Sequence, residues 1–193
     1  MDIAIVGATG NVGRKTIEIL EKKKFPIDNL FLLASSKSVG KKITYRNKEI
    51  EVSNIDSFDF SKVKITFFAA GGKISEKFAE TAAKNSFVID NSSKYRMDPD
   101  VPLIVPQVNA DALKNIKKNI IANPNCSTAQ LVIALKPLHD LFVIKRIVVS
   151  TYQSVSGSGK ASMDELIDQT KSILNGKKVN SKNFTKQIAF NAI

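Results

Sequence analysis

Cysteine, histidine and long apolar runs are scarce in this sequence. Its 193 residues include one cysteine and one histidine. A single cysteine cannot form an intrachain disulfide or a cysteine-rich zinc cluster, so the disulfide-scaffold and zinc-module classes are excluded and no metal site is expected. The amino terminus has no basic region, and its short apolar run ends at Gly7. We therefore expect neither a signal peptide nor a membrane span, and a cytoplasmic protein.

Charge of one sign is in excess. Lysine and arginine number 29 against 18 aspartate and glutamate residues, which gives a formal net charge of +11. Such an excess can attract nucleic acid, so a nucleic-acid-binding protein is one alternative. The lysines are spread along the chain, however, and the sequence has neither aromatic stacking motifs nor a basic helix. We interpret them as solvated faces and expect no nucleic-acid partner and no membrane partner.

Short apolar runs alternate with segments of helical periodicity. An apolar run at residues 2–6, a glycine turn, a helical pattern from residue 15 and a second apolar run at Leu30–Ala34 predict a β-α-β unit. Residues 43–52 predict a hairpin or two short strands around Asn47. The alternation predicts an α/β fold with a Rossmann-like doubly wound parallel sheet. Further predicted strands are residues 65–70, 87–89, 103–105 and 119–122, and further predicted helices are residues 74–84 and 129–138.

The pattern changes after residue 138. Three elements are predicted there: a strand at residues 145–153, a serine and glycine turn at 154–159 and a helix at 161–174. We place the domain change between residues 126 and 127. Residues 127–193 are expected to begin a second α/β domain that is incomplete, because the last apolar stretch stops in mid-pattern.

Gly7, Gly10 and Gly13 form a G-x-x-G-x-x-G turn between the first predicted strand and helix. A dinucleotide fingerprint requires this position, because a helix N-terminus that follows a strand can receive a pyrophosphate. A glycine turn without a ligand is the alternative. NAD-selective folds carry an acidic residue at the end of the second strand. At that place this chain has Ala34-Ser35-Ser36-Lys37-Ser38. Hydroxyls and an ammonium group favour NADP over NAD, with a solvated loop lysine as the alternative.

Cys126 lies between a predicted strand and a predicted helix, so it is expected at or just before a helix N-terminus. The positive end of the helix dipole favours a thiolate there, and a thiolate is a nucleophile. Asn125, Ser127 and Thr128 surround the sulfur with polar groups that suit a site for stabilising an oxyanion. A buried, inert cysteine is the alternative interpretation.

Several strings, in this order along the chain, resemble aspartate-semialdehyde dehydrogenase. They cover nearly the whole chain, and together they are far more specific than any one of them. The cysteine string combined with the tyrosine-glutamine string separates this family from the similarly built N-acetyl-glutamyl-phosphate reductases. The strings are Gly7-Ala8-Thr9-Gly10-x-Val12-Gly13, Leu33-Ala34-Ser35-Ser36, Gly40-Lys41, Asp90-Asn91-Ser92-Ser93, Arg96, Pro99-Asp100-Val101-Pro102-Leu103, Pro106-Gln107-Val108-Asn109, Pro124-Asn125-Cys126-Ser127-Thr128, Ser150-Thr151-Tyr152-Gln153 and Ser156-Gly157.

The resemblance implies roles for individual residues. Cys126 is similar to the family's nucleophile, Arg96 to its phosphate-binding arginine and Gln153 to its substrate-orienting residue. Asn125 is expected to contact the substrate beside the cysteine. The residues that match the family's NADP contacts are Thr9, Gly10, Asn11, Val12, Lys37, Ser38, Ser156 and Gly157.

The resemblance also implies a reaction. The family reduces L-4-aspartyl phosphate to L-aspartate 4-semialdehyde with NADPH through a cysteine thioester, in the biosynthesis of lysine, threonine and methionine. The expected ligands are therefore NADP, aspartyl phosphate, aspartate semialdehyde and phosphate, and the intact family forms homodimers or larger homo-oligomers. In these terms residues 1–126 are the NADP-binding domain, and residues 127–193 begin the catalytic and dimerisation domain.

Part of the family's catalytic machinery has no counterpart in this sequence. The resemblance implies a general acid/base histidine, a carboxylate-binding arginine, and acidic and lysine substrate contacts, all from a second half of the enzyme. The one histidine, His139, matches no catalytic motif of the family, and we interpret it as a structural or surface residue. We expect a truncated polypeptide, and a catalytically silent NADP-binding module is the alternative to an active enzyme.

Overall fold

A seven-stranded, mostly parallel sheet organises the first of two units. The computed structural model describes all 193 residues, which divide into Met1–Val148 and Val149–Ile193. The strands are β1 (Ile3–Val6), β2 (Leu30–Ala34), β3 (Lys42–Tyr45), β4 (Lys48–Asn54), β5 (Ile65–Phe68), β6 (Phe87–Asp90) and β7 (Ile120–Ala122). Their order is β3-β4-β2-β1-β5-β6-β7, and the β3–β4 pair is antiparallel while the others are parallel.

Apolar side chains on both faces of the sheet form its core. The helices of this unit are α1 (Asn11–Lys22), α2 (Gly72–Ala83), α3 (Pro106–Asn109) and α4 (Cys126–Phe142). Ile3 of β1 belongs to the same apolar cluster as Ile17 of α1, whereas its neighbour Ala4 belongs to a second cluster with Ala79 of α2. Successive strand residues point to opposite faces of a sheet, so helices cover both sides. The predicted doubly wound parallel sheet is confirmed. None of the helices has the length and apolar character needed to cross a bilayer.

The predicted hairpin around Asn47 is also confirmed. Strands β3 and β4 pair in antiparallel register, with Tyr45 opposite Lys48. The two residues between them, Arg46 and Asn47, have φ angles of 49° and 62°. A two-residue turn with both φ angles positive matches the right-handed twist of the flanking strands, which explains the tight connection.

The predicted strand at residues 103–105 is wrong. Leu103 forms only an isolated bridge with Ala122, and the Ile104 N–H donates to the Ala122 carbonyl at 2.9 Å. Proline has no N–H to donate to a ladder, and Pro102 and Pro106 lie on either side of this segment. The pairing therefore ends after a single bridge.

The predicted strand at residues 145–153 is wrong as well, since this stretch pairs with no strand. Its β-branched composition suggested a strand, but a strand also needs a neighbour to satisfy its backbone groups. The side chains of Val148 and Tyr152 are 81% and 94% exposed, respectively. The prediction failed because a sequence pattern reports which secondary structure a segment prefers and not whether a partner strand is present.

The second unit contains one helix, α5 (Lys160–Leu174), as predicted, preceded by a 3₁₀ turn at Val155–Ser158. Glu165 on this helix is buried, and its carboxylate accepts backbone hydrogen bonds from Lys182 at 3.0 Å and Asn183 at 2.6 Å. Burial opposes the charge on Glu165, but the donors from Asn183 and Lys182 outweigh it and hold the pKa of this carboxyl below its usual range. The helix thereby fixes the segment that follows it.

The Phe68 side chain is expected to be a main contributor to sheet stability. It is fully buried in β5 and stacks with Phe60 at 6.4 Å between ring centroids. Phe68→Ala should lower the free energy of unfolding by about 3–5 kcal/mol, because it leaves a large apolar cavity. Phe87→Ala on neighbouring β6, where the ring is 50% exposed, is the control and should cost about 1 kcal/mol or less. Equal losses in urea denaturation would contradict this packing.

Glu165 is expected to make the second unit sensitive to acid. Because its folded pKa is lowered, it stabilises fully above the ordinary glutamate pKa of about 4.3 and loses that effect as the pH falls through the folded value. Glu165→Gln should weaken amide-exchange protection at Asn183 at neutral pH and flatten its dependence on acid. The exposed Glu18→Gln is the matched control. Unchanged protection in Glu165→Gln would show that the charge does not hold this segment.

Candidate functional site

The carboxyl ends of the central parallel strands enclose a cavity of about 300 Å³. In open α/β sheets, ligands bind in the crevice at this edge, where the strand order reverses. The lining combines the glycine turn after β1, the end of β2 and the residues after β5. These residues are Val6, Gly7, Thr9, Gly10, Ala34, Ser35, Ser38, Ile55, Ala69, Ala70 and Ile74.

The glycine turn requires its glycines for space. Gly7 has a φ of +83°, and a Cβ there would lie 2.6 Å from the Ala69 carbonyl oxygen. A Cβ at Gly13 would collide with the Gly7 carbonyl. Gly10 caps α1 without any side-chain hydrogen bond, so no side chain of the cap occupies the positive end of that helix. The turn is a backbone cradle of the kind that receives a pyrophosphate.

The loop after β2 borders the same cavity. The Thr9 hydroxyl donates to the Ser38 hydroxyl at 3.4 Å, which joins the glycine turn to this loop. Lys37 is exposed beside Ser38. Asn11 and Val12 are exposed in the first turn of α1. Of the residues of the first unit that were predicted to contact the dinucleotide, Thr9, Gly10 and Ser38 line the cavity, and Asn11, Val12 and Lys37 follow or precede them in the chain.

Cys126 is the first residue of α4 and is exposed. The helix begins there because Asn125 caps it. The Asn125 side-chain oxygen Oδ1 accepts a hydrogen bond from the Ser127 N–H at 3.0 Å and another from the Ser127 hydroxyl at 2.6 Å. The same oxygen lies 3.9 Å from the Cys126 sulfur. The polar cap therefore holds the thiol at the helix N-terminus, in the position predicted from the sequence.

Arg96 lies against the segment that leads to the cysteine. Its Nε donates to the Asn123 carbonyl at 3.0 Å, and its Nη2 donates to the Asn91 carbonyl at 3.2 Å. Asn91 follows β6 and Asn123 follows β7, so the guanidinium spans the carboxyl ends of two adjacent parallel strands. Cys126 follows Asn123 by three residues. A thiol and a cation that suits phosphate therefore share this edge of the sheet.

Asp90 is a buried residue of this edge to which sequence reasoning assigned no role. Its carboxylate accepts from the Ser75 hydroxyl at 2.6 Å, from the Ser92 hydroxyl at 2.6 Å and from the Ser92 N–H at 3.2 Å. These bonds tie the turn after β6 to α2. An acidic residue at the end of an apolar strand, followed by Asn91 and two serines, was the signal available in the sequence.

The predicted site residues of the second unit are close together within that unit. Gly157 lies so near the Gln153 side chain that a Cβ at Gly157 would collide with the Gln153 amide nitrogen. The Ser156 hydroxyl is 2.6 Å from that of Ser154. Gln153 also lines a cavity of about 410 Å³ within this unit. The substrate and nicotinamide contacts expected here are thus neighbours.

His139 is exposed in the last turn of α4. Cys126 begins the same helix, and a rise of 1.5 Å per residue places the two about 20 Å apart along its axis. This separation agrees with the interpretation of His139 as a surface residue. No group of three or more metal-ligating side chains occurs that could hold a metal ion.

Comparisons with known proteins identify the family. Residues 2–116 match the family described as semialdehyde dehydrogenase, NAD binding domain, and residues 135–193 match semialdehyde dehydrogenase, dimerisation domain. The chain is 50% identical to aspartate-semialdehyde dehydrogenase of Shewanella violacea and 51% identical to aspartate-semialdehyde dehydrogenase 2 of Vibrio cholerae, with the whole of this chain covered. It spans 57% and 58% of those two relatives' lengths, respectively.

Solved structures agree with this match. Aspartate semialdehyde dehydrogenase II from Vibrio cholerae, complexed with ASA, superposes with a TM-score of 0.95 at 50% identity over 98% of this chain and 57% of that one. A probable aspartate-semialdehyde dehydrogenase from Pseudomonas aeruginosa gives a TM-score of 0.86 at 32% identity, over 99% of this chain and 57% of that one. The fold, the glycine turn and these matches lead to one conclusion: the chain belongs to the semialdehyde dehydrogenase family.

Proposed function

We propose that these residues belong to an NADP-dependent aspartate-semialdehyde dehydrogenase. The reaction is the reductive dephosphorylation of L-4-aspartyl phosphate to L-aspartate 4-semialdehyde, in the biosynthesis of lysine, threonine and methionine. The observation that carries this proposal is the placement of the exposed Cys126 and of Arg96 at the same sheet edge as the glycine turn. Relatives of that name at about half identity support the choice of substrate.

Cys126 is the nucleophile in this proposal. Its sulfur is exposed at the N-terminus of α4, where a substrate can reach it. The sulfur attacks the acyl carbon of the aspartyl phosphate, the bond from that carbon to the phosphate oxygen breaks, and inorganic phosphate leaves with the electron pair. The product is a thioester on Cys126. NADPH held at the glycine turn would supply the hydride that reduces this thioester. Cys126 would then leave with the electron pair of the carbon–sulfur bond, which restores its thiolate and releases the aldehyde.

Three further side chains are proposed to bind the substrate. Arg96 binds the phosphate of the substrate and then the departing phosphate, because its planar donors can contact two oxygens at once. Asn125 contacts the substrate next to the thiol and fixes the start of the helix through its cap. Gln153 of the second unit holds the substrate through its amide without adding charge.

The cofactor is proposed to be NADP. The glycine turn, in which a Cβ at Gly7 or Gly13 would collide with the main chain, leads directly into the N-terminus of α1, and a helix N-terminus fits a dinucleotide pyrophosphate. No carboxylate follows β2, where Ser35, Ser36, Lys37 and Ser38 stand, and hydroxyls with an ammonium group suit a 2′-phosphate. An aspartate semialdehyde dehydrogenase from Candida albicans solved with NADP, 31% identical with a TM-score of 0.59 over 74% of this chain and 48% of that one, supports this choice. Ser156 and Gly157 are proposed contacts near the nicotinamide.

The domain boundary and the assembly are proposals of the same kind. We place the NADP-binding domain at residues 1–126 and the start of the catalytic and dimerisation domain at residues 127–193. Two observations support this boundary: no residue of α4 is buried, and the dimerisation-domain match begins at residue 135. That match also supports a homodimer as the assembly of the whole protein. The cytoplasmic location stays a prediction.

The nucleophile is tested by phosphate-dependent formation of NADPH from aspartate semialdehyde and NADP. We expect Cys126→Ser to lower turnover by about four orders of magnitude or more, because a hydroxyl is a far weaker nucleophile than a thiolate. Retained NADP protection against heat is the control for folding. Turnover by the serine variant at the level of the parent chain would contradict the thioester route. NADP binding by the parent chain without any turnover would favour the silent binding module.

Cofactor choice is tested at Lys37. Lys37→Ala should raise the Kd for NADP about tenfold or more, because it removes a charge-assisted contact with the 2′-phosphate, and should leave the Kd for NAD nearly unchanged. Isothermal titration calorimetry measures both constants. Lys62→Ala is the matched control, since Lys62 is an exposed lysine shortly before β5, at the opposite end of the strands. Equal losses for NADP and NAD would overturn the assignment of the 2′-phosphate to this loop.

A further inference from the structure

We propose that Asn123 is a positioning residue. Together with Asn91 it holds Arg96 so that the outer edge of the guanidinium, opposite the side chain's stem, faces the phosphate. The proposal rests on the phosphate-binding role that the proposed function gives to Arg96. It adds what determines the orientation of that arginine. Hydrogen bonds of Arg96 and of the two asparagines connect the turns that follow β6 and β7.

The two bonds that Arg96 makes use one side of its planar group. Nε donates to the Asn123 carbonyl and Nη2 donates to the Asn91 carbonyl. These two nitrogens carry the neighbouring N–H groups on the lateral edge of the guanidinium. The outer edge, formed by Nη1 and the second hydrogen of Nη2, is directed away from the carbonyls. A phosphate is therefore bound end-on through that outer edge, in a bidentate contact.

The side chains of the same two asparagines add a link between the two turns that carry these carbonyls, beyond the main-chain bonds that continue the sheet. The Asn123 amide nitrogen donates to the Asn91 side-chain oxygen at 2.9 Å. The Asn91 amide nitrogen in turn donates to the Phe68 carbonyl at 3.1 Å. This chain of amides runs across β7, β6 and β5 at their carboxyl ends. The Asn91–Asn123 bond thereby links the two turns that grip Arg96.

The two hydrogen bonds from Arg96 to the carbonyls of Asn91 and Asn123 leave its positive charge available to the ligand. Both partners of its guanidinium are neutral main-chain carbonyls and neither is a carboxylate. A carboxylate would neutralise the arginine and would compete with the phosphate for it. Carbonyl partners orient the group through their dipoles while its full positive charge remains available. Asn123 can perform this task because it is uncharged and contributes both its carbonyl and its side chain.

The test uses inorganic phosphate as the probe and alkylation of Cys126 as the readout. The 193-residue chain is treated with iodoacetamide at rising phosphate concentration, and the protection constant is measured. Asn123→Ala keeps both carbonyls but removes the bond to Asn91, so phosphate protection should weaken about three- to tenfold. Asn175→Ala, which removes an exposed asparagine that bonds the Lys171 carbonyl at the end of α5, is the matched control and should show the protection of the parent chain.

A second variant separates positioning from a general structural role. Arg96→Lys keeps a charge but loses the planar fork, so the weaker protection that remains should not change further when Asn123→Ala is added. Two results would overturn the positioning role and leave the proposed function of Arg96 intact. One is phosphate protection in Asn123→Ala as strong as in the parent chain, and the other is a loss of protection in the double variant equal to the sum of the two single losses. Failure of phosphate to protect the parent chain would overturn both. The Kd for NADP should be the same in all variants.

Discussion

The common register of the parallel strands is the constraint on which every part of the first unit's site depends. Val6 pairs with Leu33 and with Phe68, Phe68 pairs with Asp90, and Asp90 pairs with Ala122. The strands therefore end at one line across the sheet. The residue after each strand continues the ladder for one more bond, since the N–H of Gly7, Ala69, Asn91 and Asn123 each donates to the neighbouring strand. The glycine turn, the Arg96 grip and the cysteine segment all start from that line.

Main-chain groups do most of the positioning at this edge. The glycine turn has no room for a Cβ at Gly7 or Gly13, and two carbonyls hold the guanidinium of Arg96. Main-chain positions are already fixed by the ladder, whereas ordering a long side chain costs additional rotamer entropy. Buried Asp90 adds side-chain bonds to this edge, because its serine partners tie the turn after β6 to α2. The site is accordingly as rigid as the sheet edge that bears it.

Local chemistry made much of this predictable from the sequence. Gly7 and Gly13 signal a turn that only glycine can form, and Cys126 after a strand and before a helix signals a helix N-terminus. The strands wrongly predicted at residues 103–105 and 145–153 failed because pairing depends on a partner that no local pattern reveals. The link between Asn91 and Asn123 was equally invisible, since it joins residues 32 positions apart. Sequence reports what a segment prefers, and topology decides which segments meet.

The second unit is held by a different balance of forces. Among residues 149–193 the buried apolar side chains are Ile188 and Ala189, and the buried polar ones are Ser162, Glu165 and Gln169. The Gln169 side-chain oxygen accepts from the N–H groups of both Ile188 and Ala189 at 2.9 and 3.2 Å. A buried polar group without a hydrogen-bond partner costs more free energy than a paired one contributes. Such contacts therefore specify one arrangement, and the loss of one bond destabilises the others. These bonds join α5 to Ile188, which lines the same cavity as Gln153.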